Sequence, residues 1–414
     1  MQSSKLSAIF LVTSMVQPAT SASYTLSDLT LYFLRLGATG FGGPIALVGY
    51  MHRDLVEERH WISEAEYQEG LTLAQVAPGP LAAQLGFYMG YVHHGWLGSA
   101  LIGLAFVLPS FLIVVALGWA YSLYGGLSWM QSVFYGVGAA VIGIIAISAY
   151  KLTIKTISNN RVLWAIYLVN AIATVVTQSE LVPLILGGGV ITWLIARPPK
   201  FAQGRSKLHS IAIWPLLPVL AVVPASTTSV ALASGPALLM QIAWFFAFAG
   251  SFVFGSGLAI IPFLYGGVVK QFAWLTPAQF VDAVAVAMIT PGPVVITAGF
   301  IGYLVADLPG ACVAAAAMFL PCYLLTVLPA PYFKKHGKTP AIAAFVKGVT
   351  AAATGAIAGA VVVLGRQSLT DIPTLAIAVV TLAGLWILGK KLPEPLVVLI
   401  AAGMGLLLYP LTHR

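Results

Sequence analysis

Charge is what this chain has least of. Of its 414 residues only 8% are Asp, Glu, Lys or Arg, where a soluble domain carries about 25%. So few charges cannot cover a water-facing surface, which leaves lipid as the remaining solvent. Cysteine is almost absent: Cys312 and Cys322 share one apolar stretch. Neither a disulfide framework nor a cysteine metal site is expected, and both residues read as packing groups. The chain also lacks a phosphate-cradling Gly-Lys-Ser/Thr loop and has no paired metal ligands at useful spacing. ATP hydrolysis by this chain is not expected, so active transport would draw on an ion gradient or the membrane potential. The expectation is a non-enzyme with no cofactor and no metal.

What is present is apolar. Hydrophobic residues make up 59% and the mean hydropathy is +0.95. Glycine (41) and proline (25) are abundant, as membrane helices tolerate when neighbours re-satisfy the backbone. The net charge of +8 would suggest nucleic acid in a soluble protein. Here Lys and Arg sit in short loops, where they set topology, and no nucleic-acid partner is expected. At the N-terminus, Lys5, the apolar run Leu6–Val16 and small residues at 19–23 resemble a weak signal peptide. Thr13 and Ser14 interrupt its core, so a retained tail over 1–27 is the expectation.

The most informative feature is an internal repeat. Phe41-Gly42, Trp61, Pro78-Gly79-Pro80 and Gly86-Phe87 recur 213 residues later, as Phe254-Gly255, Trp274, Pro291-Gly292-Pro293 and Gly299-Phe300. After one deletion the offset is 212: Gly90-Tyr91, Leu108-Pro109, Gly136-Val137 and Gly143 match Gly302-Tyr303, Leu320-Pro321, Gly348-Val349 and Gly355. The chain divides into a repeat over 28–196, a linker over 197–239 with a proline-rich apolar stretch at 210–225, and a repeat over 240–414. Apolar segments are expected near 28–50, 63–93, 96–123, 128–151, 162–177 and 181–196. Their second-half counterparts lie near 240–268, 276–305, 309–330, 340–364, 372–389 and 393–410. His93-His94 falls between two of them and reads as a loop.

Basic residues follow different segments in the two halves. Lys151, Lys155 and Arg161 follow segment 128–151, and Arg197, Lys200, Arg205 and Lys207 follow 181–196. In the second half Lys334, Lys335 and Lys338 precede the counterpart of 128–151, and Lys390 and Lys391 follow that of 162–177. Positive residues mark the cytoplasmic side, so equivalent loops fall on opposite sides. The fold expected is an all-α polytopic membrane protein with two inverted-topology repeats, its helices broken at Pro-Gly-Pro. In such architectures the binding site lies at the repeat interface near the midplane.

Pro-Gly-Pro within an apolar segment must break a helix. Pro80 and Pro293 suit the first turn of the helix that follows. Its unpaired N–H groups and positive dipole end would then lie in the membrane, ready for an anion. The alternative is a pair of packing kinks or tight hairpins. Gln75 and Gln84 flank the first break, Thr290 and Thr297 the second; either they are ligands or they tie helices together. Gly42 and Gly43, and Ser256 within Phe254-Gly255-Ser256-Gly257, line the same cavity or only permit close packing. Arg35 either forks onto an oxyanion or snorkels to the interface. Its counterpart is Phe248. Glu69 and Asp282 are equivalent and lie about 15 Å along a helix from the breaks. They are candidates for proton coupling or belong to a solvated face.

Taken in order, Arg35-Leu36-Gly37, Phe41-Gly42-Gly43-Pro44, Arg59-His60-Trp61-Ile62, Gln75 with Pro78-Gly79-Pro80, and Gly90-Tyr91 resemble the chromate ion transporter family. Phe254-Gly255-Ser256-Gly257, Thr290-Pro291-Gly292-Pro293 and Gly302-Tyr303 are similar to its second domain. The resemblance runs from about residue 28 to 410 and is to the long, two-domain form. Gly257-Leu258 stands where a longer glycine run is expected. The resemblance implies proton-driven export of chromate across the bacterial inner membrane, conferring chromate resistance, with sulfate as the usual competitor. The site would be built from Arg35, Gly42, Gly43, Gln75, Pro78, Gly79, Pro80, Gln84, Ser256, Thr290, Pro291, Gly292, Pro293 and Thr297. The partners are a small inorganic anion, protons and lipid, and a homodimer stays open. Competing expectations are a sulfate or other oxyanion carrier, a membrane-embedded enzyme and a channel.

Overall fold

In a computed structural model the described residues are 24–41, 43–124, 127–157, 160–178, 181–196, 235–251, 260–332, 340–388 and 393–412. All regular elements among them are helical. The first repeat holds α1 (Leu26–Thr39), α2 (Gly43–Met51), α3 (Glu64–Val76), α4 (Leu81–Tyr124), α5 (Ser128–Ile157), α6 (Arg161–Thr177) and α7 (Val182–Ala196). The second holds α8 (Pro236–Gly250), α9 (Ile260–Leu264), α10 (Pro277–Ile289), α11 (Thr297–Val327), α12 (Pro340–Ser368), α13 (Ile372–Ile387) and α14 (Glu394–Thr412). The expected stretch 210–225, the tail before Tyr24, Gly42 and Ser256 lie outside the described residues.

The duplication extends to backbone detail. A π-helical turn continues α2 over His52–Glu58, and another continues α9 over Tyr265–Gln271; the offset is 213 at both ends. His60 and its equivalent Ala273 both have positive φ. Ser63 caps α3 in a capping box with Glu66, and Thr276 caps α10 in one with Gln279. Such boxes satisfy first-turn amides and fix where each helix starts.

Four of the expected apolar segments prove to be hairpins. Tyr32 donates to Asp54 across the α1–α2 pair at 3.2 Å, so these helices lie side by side as the arms of a hairpin. At the equivalent positions in the second repeat, Phe245 lies against Gly267. Gly70 of α3 lies against Leu85 and Tyr88 of α4, so Pro78-Gly79-Pro80 is the tip of a hairpin rather than a bend in one spanning helix. A 13-residue helix is about 20 Å long, enough to reach the middle of a hydrocarbon core roughly 30 Å thick.

The loop expected at His93-His94 is replaced by a reversal inside α4. His94 and Gly95 leave helical geometry, and Ser99 donates to the Phe87 carbonyl at 2.8 Å. The glycines at 90 and 98 let the two arms touch backbone to backbone, so no connecting loop is needed. Ala306 and Asp307 do the same in α11.

The two repeats interlock. α5 packs against α13 and α14 of the second repeat, and α12 packs against α6 and α7 of the first. Buried Gly, Ala and Val at these crossings let backbones approach, as membrane helices require. Outside the bundle, Leu97, Leu101, Leu104, Leu108 and Leu112 form an exposed stripe on α4, at spacings of three and four residues that place them on one face. Leu97 and Ile387 are 78% and 79% exposed. Among the described residues five helices are long and apolar enough to cross a membrane. The chain is an all-α, multi-pass membrane protein built from two repeats.

Candidate functional site

The first break follows from its sequence. α3 ends at Ala77, whose N–H donates to Leu73 O. Pro78 cannot donate, Gly79 takes a φ of +149°, and the Pro80 carbonyl accepts from Gln84 N–H at 3.0 Å. Pro80 is therefore the N-cap of α4, not a first-turn residue as expected. Its fixed φ suits either position, and the bond from Gln84 decides. The amides of Leu81, Ala82 and Ala83 head the helix with no carbonyl of their own helix to receive them.

Gln84, one turn in, is fully buried, at 0% exposure. Its side chain folds back toward the N-terminus, as helical side chains do. Nε2 donates to Pro78 O at 2.8 Å, while the buried Oε1 has no partner. A Cβ on Gly79 would sit 2.6 Å from the Gln84 amide, so glycine is required there by space as well as by φ.

The second break is tied into the first repeat. α10 ends at Thr290, Gly292 has φ +94°, and its N–H donates to Gly40 O at 2.9 Å. Ser110 of α4 donates to Pro291 O at 2.7 Å and reaches Gly37 O at 3.3 Å. The tip of the α10–α11 hairpin thus meets the tip of the α1–α2 hairpin of the other repeat. Pro293 is an N-cap, followed by a 3-10 turn over Val294–Ile296. Thr290 donates to Val286 O and Thr297 to Val294 O, both at 2.7 Å. Both hydroxyl protons are engaged within their own segments, so in this geometry these side chains offer an anion no donor.

The remaining predicted residues are dispersed. Arg35 and Gln75 are exposed, and Gly43 opens α2. Asp282 is partly buried and accepts from Tyr121 of the first repeat at 2.7 Å. Glu69 stands beside Tyr88, with one buried oxygen unpartnered. Outside the bundle, hydrogen bonds from Gln68 and then His52 hold the Glu64 carboxyl below its usual range.

Sequence reasoning missed Ser110 and Tyr121. The repeat register offered a clue to the first. Ser110 aligns with Cys322, which donates to Gly250 O at 3.3 Å as Ser110 reaches the equivalent Gly37.

Comparison with known proteins fits this architecture. The model of the chromate transporter family matches residues 27–193 and again 240–406. A probable chromate transport protein of Synechococcus elongatus is 71% identical over 387 residues, covering 94% of this chain and 96% of that protein. A chromate transport protein of Cupriavidus metallidurans is 64% identical over 395 residues, covering 95% and 96%. One from Pseudomonas aeruginosa is 31% identical, covering 91% of each. No solved structure matches the chain. With two matched domains in one polypeptide and relatives aligned almost end to end, the chain belongs to the chromate transporter family.

Proposed function

We propose that this protein is a secondary active transporter that exports chromate across the bacterial inner membrane, driven by the proton motive force. The anion sits at the hairpin tips where the repeats meet. The observation that carries this reading is the first break: three helix-heading amides beside the fully buried Gln84, inside an apolar bundle. Amides at a helix N-terminus stabilise an anion, and more so away from water. The second tip is held at the repeat boundary, where its Gly292 amide is engaged by Gly40.

Inverted topology of the repeats is part of the same proposal. It rests on the opposed charge pattern and on tips of opposite repeats meeting. Asn160 and Ile372 are equivalent by the 212 offset and exposed at helix starts. Single cysteines there should be labelled from opposite sides of the membrane; labelling from one side refutes inversion. Asp282, held by Tyr121 across the repeat boundary, and Glu69 are the proposed proton-coupling groups.

The functional test is flux of radiolabelled chromate and sulfate into inverted vesicles, with and without an uncoupler. Chromate uptake that collapses with the proton gradient is expected; uptake indifferent to it rejects the coupling. Gly79→Val should abolish flux with membrane insertion intact, because the side chain would occupy the place of the Gln84 amide. Arg35→Lys keeps charge and loses the fork, and unchanged affinity removes Arg35 from the site.

A further inference from the structure

We infer that the first break takes its oxyanion singly protonated, as hydrogen chromate, and that this is how the site tells chromate from sulfate. The inference rests on the proposal that this break binds the anion. Its starting point is the mismatch in the Gln84 amide. Nε2 is committed to the Pro78 carbonyl. Flipping the amide would set Oε1 against that carbonyl, two acceptors face to face, so the orientation is fixed by its partner. Oε1 is therefore left as a buried acceptor without a partner, on an amide held at the head of α4. A buried acceptor without a partner is destabilising, and a fully deprotonated oxyanion makes it worse, because it brings only further acceptors.

A singly protonated tetrahedral oxyanion matches the set. Its bare oxygens accept from the amides of Leu81, Ala82 and Ala83, and its one O–H donates to Gln84 Oε1. The charge agrees. A helix N-terminus offers about half a positive charge, and Arg35 on α1 is exposed. The desolvation cost of an ion grows as the square of its charge, so a dianion here would cost about four times what a monoanion does. Chromate protonates near neutral pH. Sulfate, the base of a strong acid, does not, and arrives as a dianion with no O–H.

On the elements joined at the break or packed against α4, the titratable and charged groups include Glu66 and Glu69 on α3, Tyr88 on α4 itself, Arg35 on α1 and Tyr323 on α11. The experiment must separate their titration from that of the substrate. Equilibrium binding of radiolabelled chromate to the purified full-length protein in detergent, without any gradient, is measured from pH 6 to pH 9. Perrhenate, a tetrahedral monoanion that carries no proton in this range, serves as competitor. The apparent Kd for total chromate should rise about tenfold per pH unit once chromate is mostly dianion. Recalculated for hydrogen chromate it should stay level, while perrhenate competes equally at every pH or not at all. A flat Kd for total chromate overturns the inference, and so does perrhenate competition that fades in parallel, because a protein group would then be titrating.

The variant Gln84→Met keeps chain length and removes the acceptor. It should weaken chromate at least tenfold and narrow the preference over sulfate. Equal weakening of both anions with a pH-flat Kd leaves the anion site standing and removes the protonation claim. Unchanged affinity for both removes the anion site itself.

Discussion

Gly292 and Ser110 offer a test of the junction between repeats whose sign is set by geometry. Alanine at 292 would be forced to a φ of +94°, a conformation that costs a non-glycine residue about 1–3 kcal/mol. Its Cβ would also land on Ser110 Oγ, an overlap worth about 1–3 kcal/mol in a packed interior. Ser110→Ala by itself deprives the buried Pro291 carbonyl of its donor, at about 1–3 kcal/mol. With the hydroxyl gone, the nearest remaining atoms, Gly37 O and Ser110 Cβ, lie 3.3 Å from the new methyl, and the overlap shrinks to contacts that a shift of a few tenths of an ångström relieves. The double variant should therefore be more stable than the sum of the single effects by about 1–3 kcal/mol, whereas independent sites add to within about 0.5 kcal/mol. Unfolding in mixed micelles of rising SDS content, followed by tryptophan fluorescence, measures each corner of the cycle. Additive corners, or a double variant worse than additive, would refute the placement of the second tip against α4.

Three further outcomes follow from the same contacts. Gly37→Ala and Gly250→Ala should destabilise by similar amounts, about 1–3 kcal/mol, because each methyl would meet an equivalent backbone carbonyl, Phe106 O or Met318 O; the same SDS titration compares them. Asp282→Asn should leave chromate binding within about threefold while flux loses its response to an imposed proton gradient, since the residue touches Tyr121 and not the first break; a retained response removes Asp282 from coupling. Arg59 lies 4.6 Å from the Trp61 ring and 5.4 Å from that of Tyr32. Arg59→Lys, which gives up planar stacking, should cost about 0.5–1 kcal/mol, read as a lower thermal midpoint in detergent.

Much of the architecture was legible because it is periodic or repeated. The matched motifs at offsets of 213 and 212 located both halves, and the paired Pro-Gly-Pro elements located both breaks. Segment bounds came within a few residues wherever one apolar run made one helix, as in α6 and α13. Legibility failed where pairing between distant segments decides. Whether a Pro-Gly-Pro bends a spanning helix or tips a hairpin depends on Gly70 meeting Leu85 and Tyr88, which no local pattern encodes. The amide of Gly292 looked free for a ligand until Gly40 supplied its acceptor. For Thr290 and Thr297 the sequence left ligand and helix-tying roles open, and only the structure shows carbonyls four and three residues back engaging their protons. Gln84 was found for its position; its unsatisfied oxygen was visible only in three dimensions.

The exchange of partners between α5 and α12 has a bearing on biosynthesis. α5 begins at Ser128, and the helices it leans on, α13 and α14, begin at Ile372 and Glu394. At roughly 5–20 residues per second, α5 waits in the bilayer for tens of seconds before its neighbours emerge from the ribosome. Through that interval the faces that α13 and α14 cover in the finished fold lack those partners. The newborn first half is an open-sided intermediate that closes when the second half arrives.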